Sequence, residues 1–195
     1  MIFDSLNWPE GKVNPSGIKR IGYWIPKSHI AAFPTIQNED AVTITAAVNY
    51  AGDFVLKEDK HWFSVYTTQG KGKATFEGIG EKDCKMFNNK CTLSYPDITD
   101  EAKNLVKATI NASCIFIIPL PLNRFVVIGS DDYDVEATIT GDTGDAPGSA
   151  KGITIEITAP DVTPLPGYKG ELLLADGSLD CETGVFTPTD DDGGI

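Results

Sequence analysis

The sequence predicts a mainly β fold: a β-sandwich or barrel-like domain with one flanking α-helix, an N-terminal extended arm and long loops. Three observations predict it. Short apolar runs alternate with polar residues at a period of two, as half-buried strands do. The 19 glycines and 12 prolines recur between those runs, where a β-rich chain places its turns. A single stretch, "DITDEAKNLVKATI", carries helical spacing instead. At 195 residues, with 41% hydrophobic and 23% charged residues, the chain suits one soluble domain with a real core.

Residues 1–40 form the expected arm. Trp8-Pro9, Asn14-Pro15, Ile25-Pro26 and Phe33-Pro34 interrupt every periodic pattern there, because a residue before proline is pushed out of the helical region. The arm nevertheless holds Phe3, Trp8, Tyr23, Trp24 and Phe33, and so many aromatics need a surface to cover them. The main domain is expected over residues 41–168. Val42, Ile44, Ala46 and Val48 alternate with Thr43, Thr45, Ala47 and Asn49 and predict its first strand. "HWFSVYTT", "ATFEGIG" and "KCTLSY" follow as strands separated by glycine-rich turns.

The helical stretch places Ile98, Ala102, Leu105, Val106 and Thr109 on one face and Asp100, Lys103, Asn104 and Lys107 on the other. Thr99 is the expected N-cap, and Asp100 and Glu101 suit the positive end of the helix dipole. "SCIFII" is apolar throughout and predicts a central strand buried on both faces. "RFVVIGS" supplies the next strand. In "YDVEATIT" and "GITIEIT", Val135, Ala137 and Ile139 and then Ile153, Ile155 and Ile157 share faces opposite Asp134, Glu136 and Glu156. These two strands predict a hairpin, with an unusually long connection over Gly141–Lys151. Residues 169–195 are expected to form a C-terminal extension, a hairpin or arm ending in the solvated "TPTDDDGGI".

Charge and motifs exclude most chemistry. Net charge is −12 with a pI near 4.5, and no lysine or arginine cluster is long enough to neutralise several phosphates, so sequence-reading nucleic-acid binding is not expected. The N-terminus lacks the basic region and apolar core of a signal peptide, and no run approaches about 18 apolar residues; neither secretion nor membrane insertion is expected. His29 and His61 stand without a nucleophile-elbow context. "GKGKATFEGIG" lacks phosphate-loop spacing and precedes a strand. Asp131, Asp132 and Asp134, with Asp142 and Asp145, fit no EF-hand spacing, and a solvated acidic loop is favoured over bound calcium. The four cysteines read as reduced thiols, with a Cys84–Cys91 disulfide as the competing pairing. No enzyme and no cofactor is expected.

The order of elements from "FSVYTTQGKGKATFEGIG" through "DEAKNLVKAT" to "NASCIFIIPLPLNRFVVIGSDDYDVEATITGDTGDAPGSAKGITIEITAPDVTPLPGY" resembles the tail tube (major tail) proteins of long-tailed bacteriophages, over roughly residues 42–168. The resemblance implies a virion structural subunit, made in the host cytoplasm and located in the tail. Six copies would form a ring and stacked rings a hollow tube. Its partners would be itself, the neighbouring tape measure, terminator and distal tail proteins, and DNA in transit without specific binding. The expected self-assembly residues are Trp8, Tyr23, Trp24, Asp53, Phe54, His61, Asp142 and Asp145. Asp134, Glu136 and Glu156 are the expected lumen-facing acids, repelling phosphate. The competing function is another phage or surface structural β module, such as a decoration, tail completion or glycan-binding adhesin-like domain; a glycosidase is a third reading.

Overall fold

The computed structural model describes residues 2–37 and 40–189. Its elements are β1 (Ile21–Pro26), β2 (Ile30–Ala32), α1 (Ile44–Val48), β3 (Val55–Leu56), β4 (Phe63–Tyr66), β5 (Lys73–Ile79), β6 (Met86–Tyr95) and α2 (Asp100–Thr109). They continue with β7 (Cys114–Leu120), β8 (Arg124–Ile128), β9 (Glu136–Asp142), β10 (Gly152–Asp161), β11 (Glu171–Leu174), β12 (Gly177–Asp180) and β13 (Phe186–Pro188). The fold is mainly β, as the alternating runs imply.

Two four-stranded antiparallel sheets face one another. One has the order β4-β1-β7-β8 and the other β5-β6-β10-β9. Trp24, Val65, Phe116, Ile118, Val126 and Ile128 of the first pack against Cys91, Leu93, Ile153, Ile155, Ile157 and Ala159 of the second. Alternation of two produces this directly, since each strand turns only every other side chain inward. The β9–β10 hairpin forms as the pattern predicts, with Ile155 opposite Ile139 and Glu156 opposite Thr138.

β7 is the element that makes the fold three layers deep. Its Phe116 and Ile118 face the inter-sheet core, while Ile115 and Ile117 face the other way into a second core with Ile25, Phe125 and Val127. That second face is closed by Phe54, Trp62, Tyr168, Leu172, Leu179 and Cys181. The three-stranded sheet β11-β12-β13 supplies Leu172 and Leu179. Leu172, Leu179 and Cys181 are therefore part of the folded core rather than of an extension, and the tail beyond residue 189 lies outside the described residues.

α2 begins as its sequence requires: Thr99 Oγ1 accepts the Ala102 N–H at 3.3 Å. Its Ala102, Leu105 and Val106 and the preceding Ile98 pack on the inter-sheet core. Thr109 ends the helix turned inward, its hydroxyl donating to the Leu105 carbonyl at 2.9 Å.

Two expectations are corrected. The segment from Val42 to Val48 is not a strand but holds the short helix α1. Thr43 caps it, its Oγ1 accepting the Ala46 N–H at 3.2 Å, and Ala46 and Ala47 are strong helix formers. The alternation there carries no burial signal, because Val42 is 87% exposed. The arm is also shorter than residues 1–40. Ile18 already packs on the core, and β1 is an interior strand between β4 and β7. Pro26 closes β1 instead of breaking it, as a proline at a strand end does. The exposed arm is residues 2–17.

Candidate assembly surfaces

The outward face of the β5-β6-β10-β9 sheet is polar from edge to edge. Residues opposite one another in register share a face. One row therefore runs Glu136, Thr158, Lys90, Thr75, and the next Thr138, Glu156, Thr92, Lys73. A third holds Thr140, Thr154 and Ser94. Glu77 of β5 sits 2.6 Å from Lys90, whose ammonium holds its carboxyl below the usual range. Four acids on this face, Glu77, Glu136, Asp142 and Glu156, outnumber Lys73 and Lys90. Among the described residues no other layer covers it, and Glu136 and Glu156 are exposed.

The same sheet is open at both sides. β5 and β9 are its edge strands, and neither has a second backbone partner among the described residues. Such edges are templates for pairing with another chain. The edge of β8 is managed differently: Val127 N–H bonds the Pro166 carbonyl and Tyr168 N–H bonds the Phe125 carbonyl, so chain from the same molecule caps it.

Asp134 does not belong to the polar face. It precedes β9, and its carboxylate lies 2.7 Å from Lys27 Nζ. A hydrogen bond from Lys27, with a further one from Ser113, holds its carboxyl below the ordinary range.

The residues expected at copy-to-copy contacts fall into two groups. Trp8 is 63% exposed, with Lys12 Nζ 5.1 Å from its ring centre, and it stands beside the exposed Phe3, Leu6 and Val13. Asp142, the last residue of β9, and Asp145 of the hairpin loop are exposed; Asp142 Oδ1 accepts the Gly144 N–H and Asp145 Oδ1 accepts the Ser149 hydroxyl. The others work inside the subunit. Trp24 is 7% exposed and lies 5.0 Å from the Phe63 ring. Tyr23 is half-buried against the second core. Phe54 is buried among Phe33, Tyr50, Trp62 and Tyr168. His61 packs its ring 5.0 Å from Phe63. Asp53 Oδ1 accepts the Glu171 N–H at 2.9 Å, a close approach that only Gly170 permits, since a Cβ there would lie 2.1 Å from that oxygen. Tyr23 and Trp24 were legible as residues needing cover; the cover is their own chain.

The exposed surface is 12238 Å², against roughly 9,000 Å² for a compact monomer of 21 kDa by the usual surface scaling. The apolar arm and the β5–β6 hairpin, where Phe76 is 54% exposed against Phe87, are visible parts of that surplus. Among the described residues no three His, Cys, Asp or Glu side chains are grouped to hold a metal ion, and no helix is long and apolar enough to cross a membrane. All four cysteines are free; Cys84 is exposed while Cys91, Cys114 and Cys181 are buried.

No family model matches the chain, and no curated protein or solved structure matches it.

Proposed function

We propose that the chain is a tail tube subunit, a virion structural protein that self-assembles into stacked rings around a conduit for DNA. One observation carries this reading: among the described residues, the β5-β6-β10-β9 sheet combines an uncovered polar outer face with two unpaired edges. A sheet of that kind is completed when the β5 edge of one copy meets the β9 edge of the next, and closure into a ring removes every edge. The polar face then lines the inside. Threonine hydroxyls keep it wetted, and the excess of carboxylates over lysines lets duplex DNA slide without being held.

The exposed apolar arm around Phe3, Leu6 and Trp8 is suited to the contact between rings. The test is negative-stain electron microscopy of the purified chain at rising concentration. Rings or hollow tubes are expected. A chain that stays monomeric at every concentration, in analytical ultracentrifugation and on grids, overturns the reading.

A further inference from the structure

β4 keeps part of one backbone side free. The β1 register and the 2.7 Å bond from Thr67 N–H to the Arg20 carbonyl turn the peptide groups of Phe63, Val65 and Thr67 toward β1, so those of Ser64 and Tyr66 point away from it. Both ends of this outer side are taken. Trp62 N–H donates to the Leu173 carbonyl and Thr68 N–H to the Ser94 carbonyl, each at 2.8 Å. Between them, among the described residues, Ser64 and Tyr66 have no backbone partner. The result is a notch in the sheet edge, with an open pocket of about 150 Å³ beside it. Val65, Ala102, Leu105, Ile153 and Ile155 line the pocket, together with the exposed Glu101. We propose that the notch receives the N-terminal arm of a second copy, added as a short strand beside β4 with Leu6 in the pocket.

An unpaired edge beside an apolar pocket selects an extended segment: main-chain bonds hold it, and the pocket takes one side chain. Val65 is turned into the inter-sheet core, while Ser64 and Tyr66 are exposed. Side chains directly opposite one another share a face. A residue set opposite Val65 therefore points at the pocket, and its two neighbours pair with Ser64 and Tyr66. Every strand pair of this sheet is antiparallel. An arriving strand of that sense needs an apolar residue flanked by two polar ones, each with an N–H to give. Ser5-Leu6-Asn7 meets the requirement. Trp8 does not, because Pro9 after it has no N–H, and Phe3 in the pocket turns Ile2 out to water.

The arm is free to serve. Leu6 is 102% exposed, and among the described residues none of the arm lines the pocket, so a subunit does not fill its own notch. Residues 6–17 reach about 35–40 Å when extended, against a radius of gyration of about 16 Å for a domain of this length, far enough to meet a neighbour. Joining β5 to β9 leaves β4 as the open edge of the first sheet, since the chain at 166–168 caps β8. An arm of one copy in the notch of the next is a heterologous contact, which repeats from copy to copy. The inference names the receptor of the arm, and it rests on the tube reading in taking the arm as a joint between copies.

The experiment titrates the full chain carrying Leu6→Ser, whose own arm no longer competes, into a fluorescein-labelled peptide of residues 2–17 and reads fluorescence polarisation. Saturable binding is expected. Leu6→Ala in the peptide is expected to weaken it about tenfold or more, as loss of a buried anchor does, and Phe3→Ala to leave it unchanged. Adding Ser64→Pro to the chain removes an outward N–H that β1 does not use, a change an edge strand tolerates. It is expected to weaken binding about as much while circular dichroism stays that of the parent. Absence of saturable binding, equal binding of the Leu6→Ala peptide, or undiminished binding by folded Ser64→Pro overturns the proposal; if Ser64→Pro does not fold, the peptide pair decides alone. Photo-crosslinking from p-benzoylphenylalanine at position 6, in full chain mixed with an isotope-labelled copy, identifies the source of the arm. Crosslinks to residues 64–66 or α2 of the other copy are expected, and crosslinks confined to single chains overturn the assignment to a second copy. The peptide assay needs no assembly: binding without rings sinks the tube reading alone, and rings without binding sink this inference alone.

Discussion

Lys27 Nζ and Asp134 Oδ1 meet at 2.7 Å although 107 residues separate them. Lys27 follows β1 and also donates to the Asp131 carbonyl at 3.0 Å, so one ammonium ties the end of an interior strand to the loop that leads into β9. The Asp134 side chain is 61% exposed, and solvent screening limits such a pair to roughly 0.5–1 kcal/mol. The folded-state carboxyl is held below its ordinary value, chiefly by the Lys27 hydrogen bond. Its stabilisation is therefore present above the unfolded pKa of about 4 and disappears as pH falls through the lowered folded value. Asp134→Asn is expected to lower urea stability by that amount at pH 7 and by nothing measurable near pH 2. An undiminished gap in acid contradicts the pairing.

The thiols give a second, sharper test. Burial pushes Cys91 and Cys181 up to about 12 and Cys114 up to about 11, and the thiolate is the reactive species. Only Cys84 is exposed. Native protein is expected to release one equivalent of thionitrobenzoate at pH 8 from Ellman's reagent, and four after denaturation. Cys84→Ser is expected to abolish the native reaction. Two or more rapidly reacting thiols in the folded chain contradict the layering around β7 and β12.

Alternation and apolar runs made most of the sandwich legible in the sequence, because burial on one face of a strand leaves a period of two. "SCIFII" is the clearest case: an unbroken apolar run needed cover on both sides, and β7 has it. The source of the second cover was not legible. Leu172 and Leu179 sit in short strands, and Cys181 in the turn after the second of them, too short for a period to declare itself. α1 failed for the opposite reason, since Val42, Ile44, Ala46 and Val48 alternate without being buried, and the Thr43 cap decides the local structure. Tyr23 and Trp24 were legible as residues that water would not tolerate, but sequence carries no sign of whether the cover is internal or a neighbour. The open cleft lined by Phe33, Tyr50, Asp132 and Asp161 draws on four separate segments, and only the tertiary fold brings them together.

The third prediction tests that hidden cover. Leu172 is fully buried against the outer face of the first sheet, whereas its neighbour Leu173 is 48% exposed. Leu172→Ala removes packing and leaves a cavity, for an expected loss of about 2–4 kcal/mol. Leu173→Ala is expected to stay within about 0.5 kcal/mol. Chemical denaturation of the two variants side by side checks the difference. Deleting residues 170–195 removes Leu172, Leu179 and Cys181 from the cover over Ile25, Ile115, Ile117 and Val127, and the truncated chain is expected to aggregate on expression. Equal effects from the two leucines contradict a buried β11.

Charge on the polar face gives the last prediction. Glu136 and Glu156 are exposed and lie in adjacent rows with Lys90 and Lys73. Replacing both with lysine moves the formal net charge from −12 to −12 + 4 = −8, but concentrates four lysines on one flat surface beside threonine hydroxyls. Exposed substitutions of this kind leave folding stability within about 0.5 kcal/mol. In electrophoretic shift assays at about 50 mM salt, the wild type is expected not to retard duplex DNA and the Glu136→Lys/Glu156→Lys chain to retard it, with binding lost by about 200 mM as counterion release dictates. Assembly then tells which way the face points. Covalently closed circular DNA cannot thread a tube, so preassembled variant tubes are expected not to bind it, although unassembled variant subunits do. Retention of closed circles by intact variant tubes puts the polar face on the outside and removes the lining role proposed for it.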